Sequence, residues 1–247
     1  MNKKGTNLGP IIAVAVFSVL LLGLVIWRLA DKKVIDIKKY TAETSETGNY
    51  GENINKIIPA NDDNGHIADH VEGNPDAEVL IFEYADYQCS GCATAFPRMK
   101  KLVEEYDGKV ALVYRSFLLS YHQNGTAAAS AAEAAGLQGY WQPYAEKLFA
   151  NQSTWFYASG SERTDIFRDF FRTVSNGQGD EEQFVKDMNS EKVKEKVNFD
   201  IALAQSLDIP GTPSFYLNGE RIDFSEAKTE EEFLNLMREK VDAELNK

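Results

Sequence analysis

The sequence predicts a mixed α/β domain whose sheet is interrupted by an all-helical insertion, and three observations carry that reading. A strand-like apolar run, Glu78 to Tyr84, is followed by a helix-competent segment and then by a second strand-like run, Lys109 to Ser116. Strand, helix and strand in that order imply a parallel pair joined by a crossover helix. The stretch from Asn124 to about Asp208 is helix-prone throughout, and Ile209 to Ile222 then returns to strand patterning. With 247 residues there is room for one medium domain plus appendages.

The appendages come first. Met1 to Pro10 is polar, with Lys3 and Lys4, and Ile11 to Trp27 is seventeen residues without a charge. Counted from Leu8 to Leu29, with Arg28 snorkelling, the segment can cross a hydrocarbon core of about 30 Å. The run exceeds the usual apolar stretch of a secretory signal. A cut after Ala30 would also lack a small residue at its −3 position. Residues 1–30 are therefore expected to be an uncleaved transmembrane anchor. Lys3 and Lys4 are outnumbered by Arg28, Lys32, Lys33, Lys38 and Lys39, so a positive-inside count argues weakly against export of the C-terminal part. The chemistry of the two cysteines, Cys89 and Cys92, sets the opposite, extracytoplasmic orientation. Residues 31–65, including TAETSETGNYGENIN, show no apolar periodicity and are expected to form a flexible stalk.

Residues 66–247 are expected to form the folded domain. A short strand is expected around Ile67 to Val71, a turn at Asn74-Pro75-Asp76, and a buried strand over Glu78 to Tyr84. Ala93 to Tyr106 carries Phe96, Met99, Leu102, Val103 and Tyr106 at helical spacing, with Pro97 to kink it and Gly108 to stop it. The insertion, about 118–208, opens on the Ala-rich run GTAAASAAEAAGLQG and continues with Trp141, Tyr144, Leu148 and Phe149. Ile166, Phe167, Phe170, Phe171 and Val174 mark another helix, for which Thr164 or Ser161 is the expected N-cap. Asp180 is expected to cap a helix ending near Met188, and Ser190 to Leu207 closes the set. A separate helical domain would need linkers, and none sits at either end. Ser214 to Leu217, Asn218-Gly219 and Glu220 to Ile222 read as a hairpin. Thr229 to Leu245 is a final amphipathic helix with Phe233, Leu236, Met237 and Val241 on one face.

Charge narrows the function. Of the formal net charge of −12, the first 39 residues carry +5, which leaves −17 to the rest. So acidic a domain repels polyphosphate, which excludes nucleic acid as a partner. Two cysteines are too few for a disulfide scaffold, and a bridge across so short a loop removes little unfolded-state entropy. The pair reads as chemical.

Cys89 and Cys92 stand between the strand and the helix, in FEYADYQCSGCATAF. Their i, i+3 spacing brings the sulfurs within bonding reach. It also leaves Cys89 at the helix start, where unpaired N–H groups and the helix dipole stabilise a thiolate. A thiolate is the attacking species in thiol–disulfide exchange, so Cys89 is expected to be nucleophile and leaving group and Cys92 to resolve. The spacer, Ser90-Gly91, supplies no cation, so the Cys89 pKa is expected to be lowered without being extreme. Half of a zinc site is the competing reading. No second cysteine pair exists, and His66, His70 and His122 lack ligand spacing, so no metal is expected. Pro213, just before a strand, would present backbone to an extended peptide if the Thr212–Pro213 bond were cis.

FEYADYQCSGC, the Ala-rich helical insertion and IPGTPSFYLNG together resemble the DsbA-like thiol–disulfide oxidoreductases of the thioredoxin-fold superfamily, from about Ile67 to the C-terminus. The resemblance implies a thioredoxin fold holding a helical insertion, here preceded by the anchor and stalk of a membrane-tethered bacterial form. It implies that Cys89 and Cys92 are the redox pair, Pro213 a cis-proline facing them, and Thr212 the variable residue that tunes substrate handling. Glu83 matches the family's buried carboxylate that exchanges a proton with the inner cysteine; the alternative for Glu83 is an ion pair with a lysine. Asp86 reads as a loop residue or cap. The implied activity is oxidation of cysteine pairs in reduced or unfolded exported proteins, with no cofactor beyond the Cys89–Cys92 disulfide and a quinone-linked membrane partner as reoxidase. Ser-Gly replaces the Pro-His of strongly oxidising members, which leaves two alternatives open: a reductase or isomerase, and a non-enzymatic envelope-binding module.

Overall fold

Every residue of Val110–Ser116 is buried, and so is every residue of Val79–Ala85 except Leu80. Such continuous apolar runs are what a sheet covered on both faces requires. The computed structural model describes residues 55–247. The two runs, β2 (Val79–Ala85) and β3 (Val110–Ser116), pair in parallel at the centre of a five-stranded sheet. Its order is β1-β3-β2-β4-β5, with β1 (His70–Gly73) antiparallel to β3, β4 (Ser214–Leu217) antiparallel to β2, and β5 (Glu220–Arg221) antiparallel to β4. The crossover from β2 to β3 is helix α1 (Ser90–Glu105), which begins at the cysteine motif, three residues before the expected start, and contains Pro97. The β4–β5 hairpin turns on Asn218 and Gly219 at φ 49° and 82°, the left-handed pair that a tight hairpin needs.

Six helices fill the chain between β3 and β4: α2 (Gly125–Gly136), α3 (Trp141–Ala150), α4 (Gln152–Trp155), α5 (Gly160–Val174), α6 (Glu181–Asp187) and α7 (Glu191–Ser206). The insertion is thus as expected, with one correction to its capping. Helix α5 starts after Ser159, and Ser161 and Thr164 lie inside it; Ser159 makes no side-chain cap bond. Asp180 does cap α6, accepting from the Gln183 N–H at 2.9 Å. The last helix, α8 (Glu230–Leu245), opens with a reciprocal capping box between Thr229 and Glu232.

The alanines of α2 explain its composition. Ala128, Ala129, Ala131, Ala132, Ala134 and Ala135 are all inaccessible, so the helix runs through the middle of the insertion, where small side chains permit close approach. Around it pack Trp155, Phe167, Phe171 and Phe184, the last two stacked at 4.4 Å. Each such ring contributes about 2–3 kcal/mol of burial. The same cluster takes in Cys92, Tyr87, Phe96 and Tyr114, so insertion and sheet share one core. A second cluster, including Ile81, Met99, Phe215, Phe233 and Met237, lies between the sheet, α1 and α8.

The expected anchor, residues 1–30, lies outside the described residues, as does most of the expected stalk. Among the described residues no helix is long and apolar enough to cross a membrane. The stalk boundary at 65 is corrected. Ile58 is buried, its N–H donates to the Asp69 carboxylate, and the Asp69 N–H returns a bond to the Ile58 carbonyl, both at 2.9 Å. One isoleucine among polar residues carries no periodicity, so sequence patterning missed this contact. Asp69 is also the hub of a fully buried charge network. Arg115 donates to it at 2.7 Å and to the Tyr84 hydroxyl at 3.1 Å; Lys196 donates to it at 3.2 Å and to Asp200 at 2.7 Å. Asp200 in turn accepts from the Ser116 N–H at 3.1 Å.

Candidate active site

Strand β2 ends at Ala85, and the chain reaches α1 through Asp86-Tyr87-Gln88-Cys89. Cys89 is the residue before the helix, extended at φ −75° and ψ 123°, and half-buried. Cys92, one turn on, is fully buried. The two are unbridged in this structure. Facing them, the Thr212–Pro213 bond is cis, as the resemblance implied. The Cys89 thiol donates to the Thr212 carbonyl at 3.4 Å, although the two residues are 123 apart in sequence. Gly91 makes the approach possible: a Cβ there would stand 3.1 Å from Pro213 Cδ and 3.6 Å from Cys89 Sγ. Ser90 is exposed and Gly91 open to solvent, so the spacer forms the outer surface of the site.

Electrostatics separates the two thiols. A hydrogen bond from Cys92 holds Cys89 down to about 5, against the opposing effect of burial; the Thr212 side chain and the N–H groups of Cys92 and Gly91 add to it. The lowering was expected, but its largest source is the partner thiol, with the helix-start N–H groups secondary. Burial pushes Cys92 far above the ordinary thiol range, reinforced by its bond to Cys89 and by the nearby Glu83. One sulfur is an accessible thiolate at neutral pH and the other a buried thiol.

Glu83 lies on β2, six residues before Cys89, and is wholly inaccessible. Among the described residues neither of its oxygens has a protein hydrogen-bond partner and no lysine pairs with it. Burial first, then the Cys89 charge, raises its pKa to about 8. A carboxyl held near neutrality beside a buried thiol is suited to exchange a proton with it.

Sequence reasoning missed the parts that hold the loop still. Asp86 is buried, and its carboxylate accepts from the Gln88 N–H at 2.8 Å, the Leu119 N–H at 2.9 Å and His122 Nδ1 at 2.8 Å. It is a loop clamp, in keeping with the role expected of it. Gln152 donates to the carbonyls of Tyr87 at 2.6 Å and Cys89 at 3.0 Å. The amide of Asn124 donates toward the carbonyls of Trp155, Phe156 and Ala158, and its N–H donates to the Gln88 side chain at 2.7 Å. The Gln152 and Asn124 contacts span 31 to 65 residues and carry no local signature. Among the described residues no cluster of three or more His, Cys, Asp or Glu side chains could hold a metal.

Comparison with known proteins identifies the family and the fold. A family profile described as "Thioredoxin" matches residues 66–239. The chain is 33% identical over 157 residues to the probable disulfide bond formation protein D of Bacillus cereus, a match spanning 60% of this chain and 68% of that protein. It is also 33% identical over 156 residues to the Na(+)/H(+) antiporter NhaA 1 of a Mycobacterium strain, and there the match spans 62% of this chain but only 24% of the relative. The chain thus covers about a quarter of the antiporters it matches. In fold it is similar to oxidised BdbD from Bacillus subtilis, with a TM-score of 0.60 at 21% identity, covering 78% of this chain and all of that one. Wolbachia pipientis α-DsbA1 gives a TM-score of 0.55 at 24% identity, covering 72% and 92%.

Proposed function

From the premise that this chain belongs to the thioredoxin family, with a DsbA-like fold and disulfide-exchange relatives, we propose that it is a protein disulfide oxidase. The observation that carries the reading is the asymmetry of the two sulfurs: Cys89 half-exposed against cis Pro213, Cys92 sealed in the core. A substrate thiolate attacks Cys89 Sγ, the Cys89–Cys92 bond breaks, and Cys92 leaves as a thiolate that takes up a proton. The substrate's second thiolate then displaces Cys89, which departs as the stabilised thiolate. Holding Cys89 as thiolate stabilises the reduced form, which favours giving the disulfide away. The dithiol carries both electrons, so no further cofactor is invoked.

The substrates are reduced or unfolded exported proteins. Two exposed aromatics support this: Tyr157 follows the residue that Gln88 holds, and Tyr121 precedes the histidine that Asp86 holds. Both offer apolar surface to an unfolded chain on segments tied to the cysteine loop. The apolar run Ile11 to Trp27 supports a membrane tether with the catalytic domain outside the cytoplasm, where a quinone-linked membrane partner would restore the disulfide. A membrane-impermeant thiol reagent should label reduced Cys89 in intact cells; failure to do so would withdraw that topology.

The direction is tested by equilibrating the Cys89–Cys92 couple in defined redox buffers. An oxidase should sit well above thioredoxin's potential of about −270 mV, and a value near it would assign a reductase. In parallel, Cys89→Ser should abolish oxidation of a reduced, unfolded protein, and Cys92→Ser should accumulate mixed disulfides. Turnover by Cys89→Ser would sink the mechanism, and inactivity of the unaltered protein would indicate a binding module.

A further inference from the structure

Behind the dithiol, three titratable side chains stand in one row across the sheet. Register pairs His70 of β1 with Tyr114 of β3, and Tyr114 with Glu83 of β2. Residues paired in register project from the same face, and adjacent strands lie about 4.8 Å apart. The row therefore runs from the sheet edge inward to the carboxyl beside Cys92. Its outer end reaches solvent, since the His70 side chain is 14% exposed, whereas Tyr114 and Glu83 are inaccessible. Like both oxygens of Glu83, the Tyr114 hydroxyl has no protein hydrogen-bond partner. An apolar core that buries two such groups side by side incurs a cost of about 1–3 kcal/mol each unless they serve each other or a reaction.

A second set of contacts runs beside the row. The Tyr87 ring stacks on Tyr114 at 5.1 Å, and its hydroxyl accepts from Trp141 Nε1 at 3.2 Å. Trp141 lies flat on His70 at 4.4 Å and 4°, and His70 Nε2 meets Glu133 at 2.7 Å. The titratable groups facing the row are Cys92 and Cys89 at α1, Tyr87 and Asp86 from the loop before it, and Glu133 from α2.

We propose that Tyr114 is the proton-positioning group of the exchange reaction, reloading Glu83 from solvent by way of Tyr87 and the His70–Glu133 pair. The proposal rests on the oxidase reading. When Cys92 leaves as a thiolate it takes the proton of the Glu83 carboxyl. Glu83, now a carboxylate, takes the Tyr114 hydroxyl proton, Tyr114 takes one from Tyr87, Tyr87 takes one from the His70–Glu133 pair, whose carboxyl charge acts on it, and that pair takes one from water, so each donor is restored. No other bond changes.

The test is single-turnover oxidation of a dithiol peptide by the oxidised protein, in H2O and D2O, from pH 5 to 9. Tyr114→Phe removes a hydroxyl that has no partner, so thermal stability should hold or rise. The step in which Cys92 is protonated should slow by roughly tenfold or more and show an enlarged solvent isotope effect. In a Glu83→Gln background Tyr114→Phe should add nothing. His70→Phe, which keeps the stack on Trp141, should give a smaller slowing with the same isotope signature, and it serves as the readout should Tyr114→Phe fail to fold. Rates and isotope effects equal to those of the unaltered protein would overturn the relay. An unaltered protein that oxidises no dithiol would remove the function and the relay together, whereas an active one with a silent Tyr114→Phe would remove the relay alone.

Discussion

Neighbouring residues on the two central strands meet opposite treatment. Tyr84 and Arg115, on one face, belong to the network in which every buried charge has a partner: Asp69, Lys196 and Asp200 complete it. Glu83 and Tyr114, one residue back on each strand and so on the other face, are equally buried and have no partner. Burial alone therefore does not separate structural from chemical polar groups. Pairing does. The network ties the segment before β1 to β3 and α7, since Arg115 also holds the Lys56 carbonyl at 3.0 Å. The unpaired face looks onto Cys92, where the proposed exchange needs a proton to come and go.

The comparison can be broken most severely from the paired side. Arg115→Met leaves Asp69 short of its main cation and should cost about 3–5 kcal/mol in denaturant unfolding. If the loss is below about 1 kcal/mol, the network is not structural. Next in size is a contrast in pH dependence. Burial would raise Asp69, but the Arg115 and Lys196 charges hold it at about 2, below its unfolded value. Its contribution to stability is present above about pH 4 and lost as the pH falls through 2. Glu83 is raised to about 8, so the opposite holds: stability present below about pH 4.5 is lost as the pH rises through 8. Glu83→Gln should therefore stabilise the protein at pH 9, on the order of 3 kcal/mol, and leave pH 4 nearly unchanged. Unfolding of the disulfide form isolates this, because its thiols do not titrate. A flat difference between pH 4 and 9 would contradict the raised carboxyl. The smallest effect concerns the cysteine loop itself. Gly91→Ala should shift stability by about 1 kcal/mol or less, because the helical gain offsets the tight Pro213 contact, yet slow attack at Cys89 measurably in stopped flow. An unchanged rate would mean that Gly91 is not needed for access.

Much of the fold was legible because its signals are local. Continuous apolar runs gave β2 and β3, the spacing of Phe96, Met99 and Leu102 gave α1, and Asn218-Gly219 gave the last hairpin. The placing of the cysteine pair was legible for the same reason, the two being three residues apart at a strand-to-helix junction. Helix starts were less so: Ser159 caps α5 by backbone conformation alone, so side-chain chemistry pointed past it to Ser161 and Thr164. Least legible were the long-range polar contacts. Nothing around Asp69 announces Lys196, 127 residues away, and nothing near Asn124 announces the carbonyls it serves. Cis Thr212–Pro213 was anticipated through resemblance rather than through any property of the dipeptide.

Asn124 bears on engineering. One amide there serves three carbonyls at and just after the end of α4, its N–H holds Gln88, and its oxygen accepts from Arg163 at 2.6 Å. Together with Gln152, it makes the insertion the jig in which the cysteine loop is held. A shortened chain that joined Ser116 directly to Ile209 would keep every strand, both cysteines and the cis-proline. It would nonetheless strip the loop of its side-chain donors. A minimal version of this domain must therefore carry Asn124 and α2 to α4 along with the sheet.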